Sequence, residues 1–207
     1  MNVVCKFFLI FVLAALFSCS HHYIPQTGDL VFQDLDCGSL CDAIEKVTTG
    51  IEGKNFSHIG IITVEKNKAY VLEAIGPGVI KTPFDSFLQR SNKVIAGRVK
   101  EPYRPLIPQA IERSLSLLTK PYDDGFDINN QKYYCSELVY YSYLDTLGKP
   151  LFQLNPMTFI DPDTRKTFPA WTTYFQSLNM PTPEGQPGLN PGGISRSPVI
   201  DIVYRFY

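Results

Sequence analysis

Two β-branched, apolar runs separated by a short polar stretch constrain this chain more than any other feature. His58-Ile59-Gly60-Ile61-Ile62-Thr63-Val64 and Ala69-Tyr70-Val71-Leu72-Glu73-Ala74 flank Glu65-Lys66-Asn67-Lys68. This is the pattern of a β-hairpin in which Asn67 takes the positive φ of a tight turn. A turn centred on Lys66-Asn67 sets Val64 opposite Ala69 and Gly60 opposite Glu73. His58 and Glu73 then share one sheet face, one pair apart, and a register shift of two residues would leave them there. A glutamate amid Val71, Leu72 and Ala74 is costly to bury without a hydrogen bond. The imidazole of His58 would supply one; solvation at a strand end is the plainer alternative.

The rest of the chain builds around that hairpin. Gly28-Asp29 opens a short buried strand, Leu30-Val31-Phe32, and Leu40, Ile44 and Val47 recur at helical spacing up to a stop near Gly50. Further strands are expected over 79–82, 93–99 and 199–206, and a helix over 108–119 with Pro108 in its first turn. A second helix is expected from Ser136 through Leu147, with Gly148 and Pro150 as its stop. Residues 181–198 hold five Pro and four Gly and read as a loop, mobile or ordered only by contact, with no element of its own. The chain contains no internal repeat.

The N-terminus reads as an export signal. Lys6 precedes the apolar run Phe7–Phe17 and then Ser18-Cys19, too brief a stretch to span a bilayer as a stable helix. Leu16-Phe17-Ser18-Cys19 is similar to a bacterial lipoprotein box, with a plain secretory signal as the alternative because Phe17 is bulkier than that pattern usually allows. The expected organisation is therefore a signal peptide over 1–18, lipidation of Cys19, a tether over 19–27, and one domain over 28–207. That places the protein in the cell envelope, anchored to a membrane by its N-terminal lipid. Ser20 rather than Asp after the cysteine favours an outer membrane or periplasmic side. With 207 residues, 44% of them hydrophobic, and a net charge of −1, the chain is a globular domain without the basic excess that nucleic-acid binding requires.

Histidine and cysteine locate the candidate chemistry. Of three histidines, His21 and His22 fall in the tether, which leaves His58 as the one base on the fold for chemistry near neutral pH. Export discards Cys5 and lipidates Cys19, so Cys37, Cys41 and Cys135 remain. Cys37 and Cys41, four apart, share a helix face, either packed as small hydrophobes or bridged. A metal site there would lack further ligands, and no metal or organic cofactor is expected. Cys135 directly precedes a helix. There the positive end of the helix dipole favours a thiolate, and free backbone N–H groups can hold an oxyanion. Cys135, His58 and Glu73 thus compose a set of nucleophile, base and orienting carboxylate. In chain order this is a rotation of the papain-like order.

At these residues the chain resembles the circularly permuted papain-like amidases of the NlpC superfamily, in the YiiX/YebB-like branch. The matching pieces are Gly28-Asp29-Leu30-Val31-Phe32, Ser57-His58-Ile59-Gly60-Ile61, Val71-Leu72-Glu73-Ala74, Pro121-Tyr122-Asp123 and Tyr134-Cys135-Ser136-Glu137-Leu138-Val139. They fall in order between about 28 and 148, and residues 150–207 carry no match. The resemblance implies an α+β fold, an antiparallel sheet with the nucleophile helix packed against it. It also implies cysteine hydrolysis of an amide or peptide bond through an acyl-enzyme. The expected partner is a peptide or acyl-amide substrate, from peptidoglycan or lipid. Tyr122, Tyr134 and Ser136 are candidate substrate contacts, with packing as the equal alternative for Tyr122. A lipid-acting acyltransferase or thioesterase, and a binding module without catalysis, are the competing readings.

Overall fold

The computed structural model describes residues 22–36 and 38–207. The expected signal peptide, Cys19 and Cys37 lie outside the described residues. The sheet has six strands in the order β4-β3-β2-β1-β5-β8, every neighbouring pair antiparallel. These strands are β1 (Leu30–Gln33), β2 (His58–Glu65), β3 (Lys68–Ile75), β4 (Gly78–Pro83), β5 (Val94–Val99) and β8 (Ile200–Arg205). The hairpin has the expected register: Val64 opposes Ala69 and Ile61 opposes Leu72. Lys66 and Asn67 both take positive φ, 49° and 64°, the two-residue turn whose twist matches that of the strands it joins.

Period-two alternation sorts the side chains to two faces. Leu30, Phe32, Ile59, Ile61 and Leu72 face α3 (Ile107–Ser116) and α4 (Cys135–Ser142) in the larger core. Val31, Ile62, Val71 and Ala96 face the other way, onto Phe84 and Phe87 of the short α2 (Phe84–Leu88) and onto Tyr23. A third cluster joins α1 (Ser39–Val47) to α5 (Pro169–Ser177) through Ala43, Phe159, Trp171 and Phe175. The architecture is the α+β arrangement the sequence implies, with α4 across the sheet.

Several expectations need correction. Residues 23–27 are not a free tether. Tyr23 is buried and donates to Asp29 Oδ2 at 2.7 Å, and the Gln26 N–H reaches the same oxygen at 3.0 Å. Asp29 also takes Arg98 of β5 in two hydrogen bonds of 2.6 and 2.8 Å. Helix α4 ends at Ser142, not Leu147: Tyr143 leaves the helix with ψ 82°, and its hydroxyl donates to the Gly28 carbonyl at 2.7 Å. The residues after it form a turn, in which Asp145 accepts the N–H groups of Leu147 and Lys149. Helix α3 stops at Ser116, and Thr119, with φ 71°, bonds back to Val79.

The Pro/Gly-rich stretch also carries elements of its own. β7 (Pro187–Gly188) pairs with β6 (Asn155–Pro156). α6 (Pro191–Ser195) is capped by Asn190, whose Oδ1 accepts the Gly193 N–H at 2.6 Å.

Candidate active site

Each of the three candidate residues is placed by a different element. His58 is the first residue of β2, opposite Gln33 of β1. Glu73 lies within β3, opposite Ile80 of β4, and Cys135 opens α4. The fold brings all three together. His58 Nε2 donates to Glu73 Oε2 at 2.6 Å, both side chains buried. The imidazole also interacts with the free, buried thiol of Cys135, which lines the same cleft. Since Nε2 is committed to Glu73, Nδ1 is the ring nitrogen left for the sulfur.

Space for this arrangement comes from Gly60. A Cβ there would stand 2.3 Å from Val71 Cγ1 and 3.3 Å from Glu73 Cβ. Any side chain would therefore collide with the strand that carries Glu73.

Glu73 is held by more than the histidine. Thr82 Oγ1 donates to Oε1 at 2.5 Å and Arg90 Nη2 donates to Oε2 at 2.6 Å. Thr82 lies two residues from Ile80 on β4, hence on the same face as Glu73. Arg90 follows α2 on the side of the sheet that helix covers, its guanidinium 4.9 Å from the ring centre of Phe87. Phe87 in turn lies 6.0 Å from the imidazole of His58, ring centre to ring centre.

Cys135 and His58 line a cleft of about 450 Å³. Its walls are mostly apolar and aromatic: Leu40 and Ile44 of α1, Phe126, Phe159, and Trp171 and Tyr174 of α5. An antiparallel core with a cysteine at the start of the helix across it, histidine and glutamate on the adjoining hairpin, is a papain-like layout in permuted order. Residues 24–204 match the family described as "Permuted papain-like amidase enzyme, YaeF/YiiX, C92 family".

The chain belongs to this family.

Its relatives among these permuted papain-like amidases include YiiX of Escherichia coli K12, described as an uncharacterized protein. The two are 32% identical over 130 residues, which is 60% of each chain. A crystal structure described as metalloprotein yiiX from Escherichia coli O157:H7 superposes with a TM-score of 0.74 at 25% identity, covering 88% of this chain and 98% of that one. The family is described as one of amidase enzymes, which supports a hydrolase.

The electrostatics of this site follow from its burial and its partners. Burial alone would lower the pKa of His58, but its hydrogen bonds with Cys135 and Glu73 outweigh that and push it up to about 9. Burial likewise opposes the charge on Glu73, yet His58, Arg90 and Thr82 hold its carboxyl below the ordinary glutamate value. On α4, Glu137 is buried and accepts the Tyr134 N–H at 3.2 Å. Burial pushes its pKa up to about 8; the Tyr134 N–H opposes the shift, and Asp123 and Asp127 add to it.

The three expected substrate contacts separate into two kinds. Tyr122 stands in the cleft wall, its phenol pushed above the ordinary range by burial and by the neighbouring Cys135. Tyr134 and Ser136 also line the cleft, but their hydroxyls are engaged. Tyr134 Oη accepts the Leu189 N–H at 3.1 Å, and Ser136 Oγ donates to the Leu189 carbonyl at 3.0 Å. The residues on either side of Cys135 therefore fasten the Pro/Gly-rich segment over the helix. Cys41, buried on α1, lines the same cleft.

The sequence reading missed Arg90, Thr82 and the whole of α5. Thr82 was available from the alternation along β4. Helix α5 had a signal in Pro169, followed by aromatic residues at 171, 174 and 175. Arg90 had none, because its contact with Glu73 depends on how α2 folds back across the sheet.

Proposed function

We propose that the protein hydrolyses an amide by acyl transfer to Cys135, and that the acyl side of its substrate is apolar. The observation that carries this reading is the 2.6 Å hydrogen bond between His58 and Glu73 beside Cys135, in a cleft walled by Leu40, Ile44, Phe159 and Trp171. His58 takes the thiol proton through Nδ1, and the sulfur attacks the carbonyl carbon. The unpaired backbone N–H groups in the first turn of α4 stabilise the oxyanion. Collapse of the adduct expels the amine, which leaves with the proton from His58. Water then attacks the thioester with His58 as base, releasing the acid and restoring the thiol. Glu73 fixes the ring and supports its charged form.

The donor set does not suit a metal. The carboxylate of Glu73 already accepts three hydrogen bonds, and among the described residues no three His, Cys, Asp or Glu side chains converge on one point. No step is routed through a metal ion.

Turnover of N-acyl amides of graded chain length, alongside muropeptides, tests the reading. Rates that rise with acyl length and vanish in Cys135→Ala support it. Turnover of muropeptides alone would replace it with a cell-wall peptidase. Anchoring is part of the same proposal: Cys19→Ala should lose labelled palmitate and membrane association, and persistence of both would remove it.

A further inference from the structure

We infer that Arg90 is a positioning residue of this site, holding the Glu73 carboxylate ionised and aimed at His58 without touching substrate. The inference rests on the reading of Cys135 and His58 as nucleophile and base.

Arg90 and His58 donate to the same oxygen, Glu73 Oε2, each at 2.6 Å, while Thr82 occupies Oε1. Glu73 has no exposed surface, so its charge is tolerated only through these partners. His58, which holds its proton to about pH 9, and Arg90 together keep this buried carboxylate ionised, and Arg90 is the one whose charge does not change when His58 gives its proton away. While His58 is protonated, the same oxygen faces two cations, and Glu73 can stabilise the imidazolium because it never became a carboxylic acid. Phe87 supports both cationic partners, its ring lying against the guanidinium on one hand and the imidazole on the other. The charged and titratable groups facing Glu73 are therefore His58 from β2 and Arg90 beyond α2. Cys135 on α4 lies behind the ring, with Tyr122 beside the sulfur. With 28% of its side chain exposed, Arg90 is not a buried structural element, and its loss should leave the fold standing.

The test needs no substrate. Alkylation of Cys135 by iodoacetamide in the full chain, located by mass spectrometry and followed against pH, reports the thiolate–imidazolium pair. Without the arginine, Glu73 takes a proton at higher pH and no longer holds the imidazolium against the sulfur, so the thiolate loses its neighbouring cation. Arg90→Gln should therefore move the low-pH limb upward by at least about half a unit. Arg90→Met, which keeps an aliphatic chain over Phe87, should do the same, and Arg90→Lys should restore the parent limb. In a Glu73→Gln background Arg90→Gln should move nothing, because the effect passes through that carboxylate. A parent-like limb in both neutral variants, or an undiminished shift without Glu73, would overturn the inference. A moved limb in a protein that cleaves no amide would sink the acyl-transfer reading and leave Arg90 its role. An unmoved limb in an active amidase would do the reverse.

Discussion

Asp29 and Glu73 are both fully buried carboxylates answered by an arginine, yet their surroundings differ in one respect. Asp29 is gripped by Arg98 through two hydrogen bonds and by the hydroxyl of Tyr23, joining the start of the domain to β5. Glu73 shares its arginine with a histidine that faces a thiol and a cleft. At Asp29 none of these partners needs to exchange a proton near neutral pH, so the group holds strands together. At Glu73 the histidine is a group that can, so under the proposed acyl transfer a comparable amount of buried charge is applied to chemistry. Burial and an arginine do not distinguish a functional carboxylate from a structural one; the third partner does.

Four experiments would break or sharpen this contrast. The largest effect is expected on the Glu73 side: Cys135→Ala or His58→Ala should each lower amide turnover by roughly a thousandfold or more. The double variant should lose little beyond either single one. Asp29→Ala should leave the rate per folded molecule near that of the parent. It should nevertheless cost about 1–3 kcal/mol in chemical denaturation, because the buried Tyr23 hydroxyl and the partly exposed Arg98 both lose their acceptor. A large rate loss in folded Asp29→Ala would erase the distinction between the two carboxylates.

Gly60→Ala should destabilise by about 1–3 kcal/mol through the clash with Val71, and it should lower turnover as well, since the displaced strand carries Glu73. Thermal denaturation and a rate assay on one preparation would show whether the two losses travel together.

The most gradual effect is in pH. His58 has its pKa raised from 6.5 to about 9 by folding. Its stabilisation is therefore complete below about 6.5 and is lost as pH climbs toward 9. Glu137, raised to about 8, acts with the same sign, because the folded state keeps its proton longer. Glu73, lowered, contributes the opposite slope on the acid side, stability being lost as pH falls through its folded value. Stability should decline from about pH 4.5, where Glu137 begins to differ, to about pH 9, where His58 is spent, by no more than about 1.4 kcal/mol per pH unit for each proton released. His58→Gln should flatten the decline, and an unchanged slope would assign it elsewhere.

Much of this was legible in the sequence, for identifiable reasons. The hairpin register could be read because a two-residue turn at Lys66-Asn67 leaves one pairing, and that pairing puts His58 and Glu73 on one face. Cys135 could be placed because a polar loop gives way to a helical pattern just there. What stayed hidden depends on tertiary contacts. Tyr23 lies against the sheet because Asp29 needs a donor, which no local pattern announces. Helix α4 stops early because Tyr143 is drawn to the Gly28 carbonyl, 115 positions away. The segment 181–198 reads as loop by composition, and it becomes a cleft wall only because Tyr134 and Ser136 hold Leu189.

The aromatic lining of the cleft has a calorimetric consequence. A ligand that covers Phe159, Trp171 and Tyr174 removes apolar surface from water, so its association should carry a negative heat-capacity change. Binding enthalpy should then become steadily more exothermic as temperature rises. Sulfate and other salts excluded from protein surfaces should tighten the complex rather than screen it. A ligand held mainly by charge would show the opposite response to added salt.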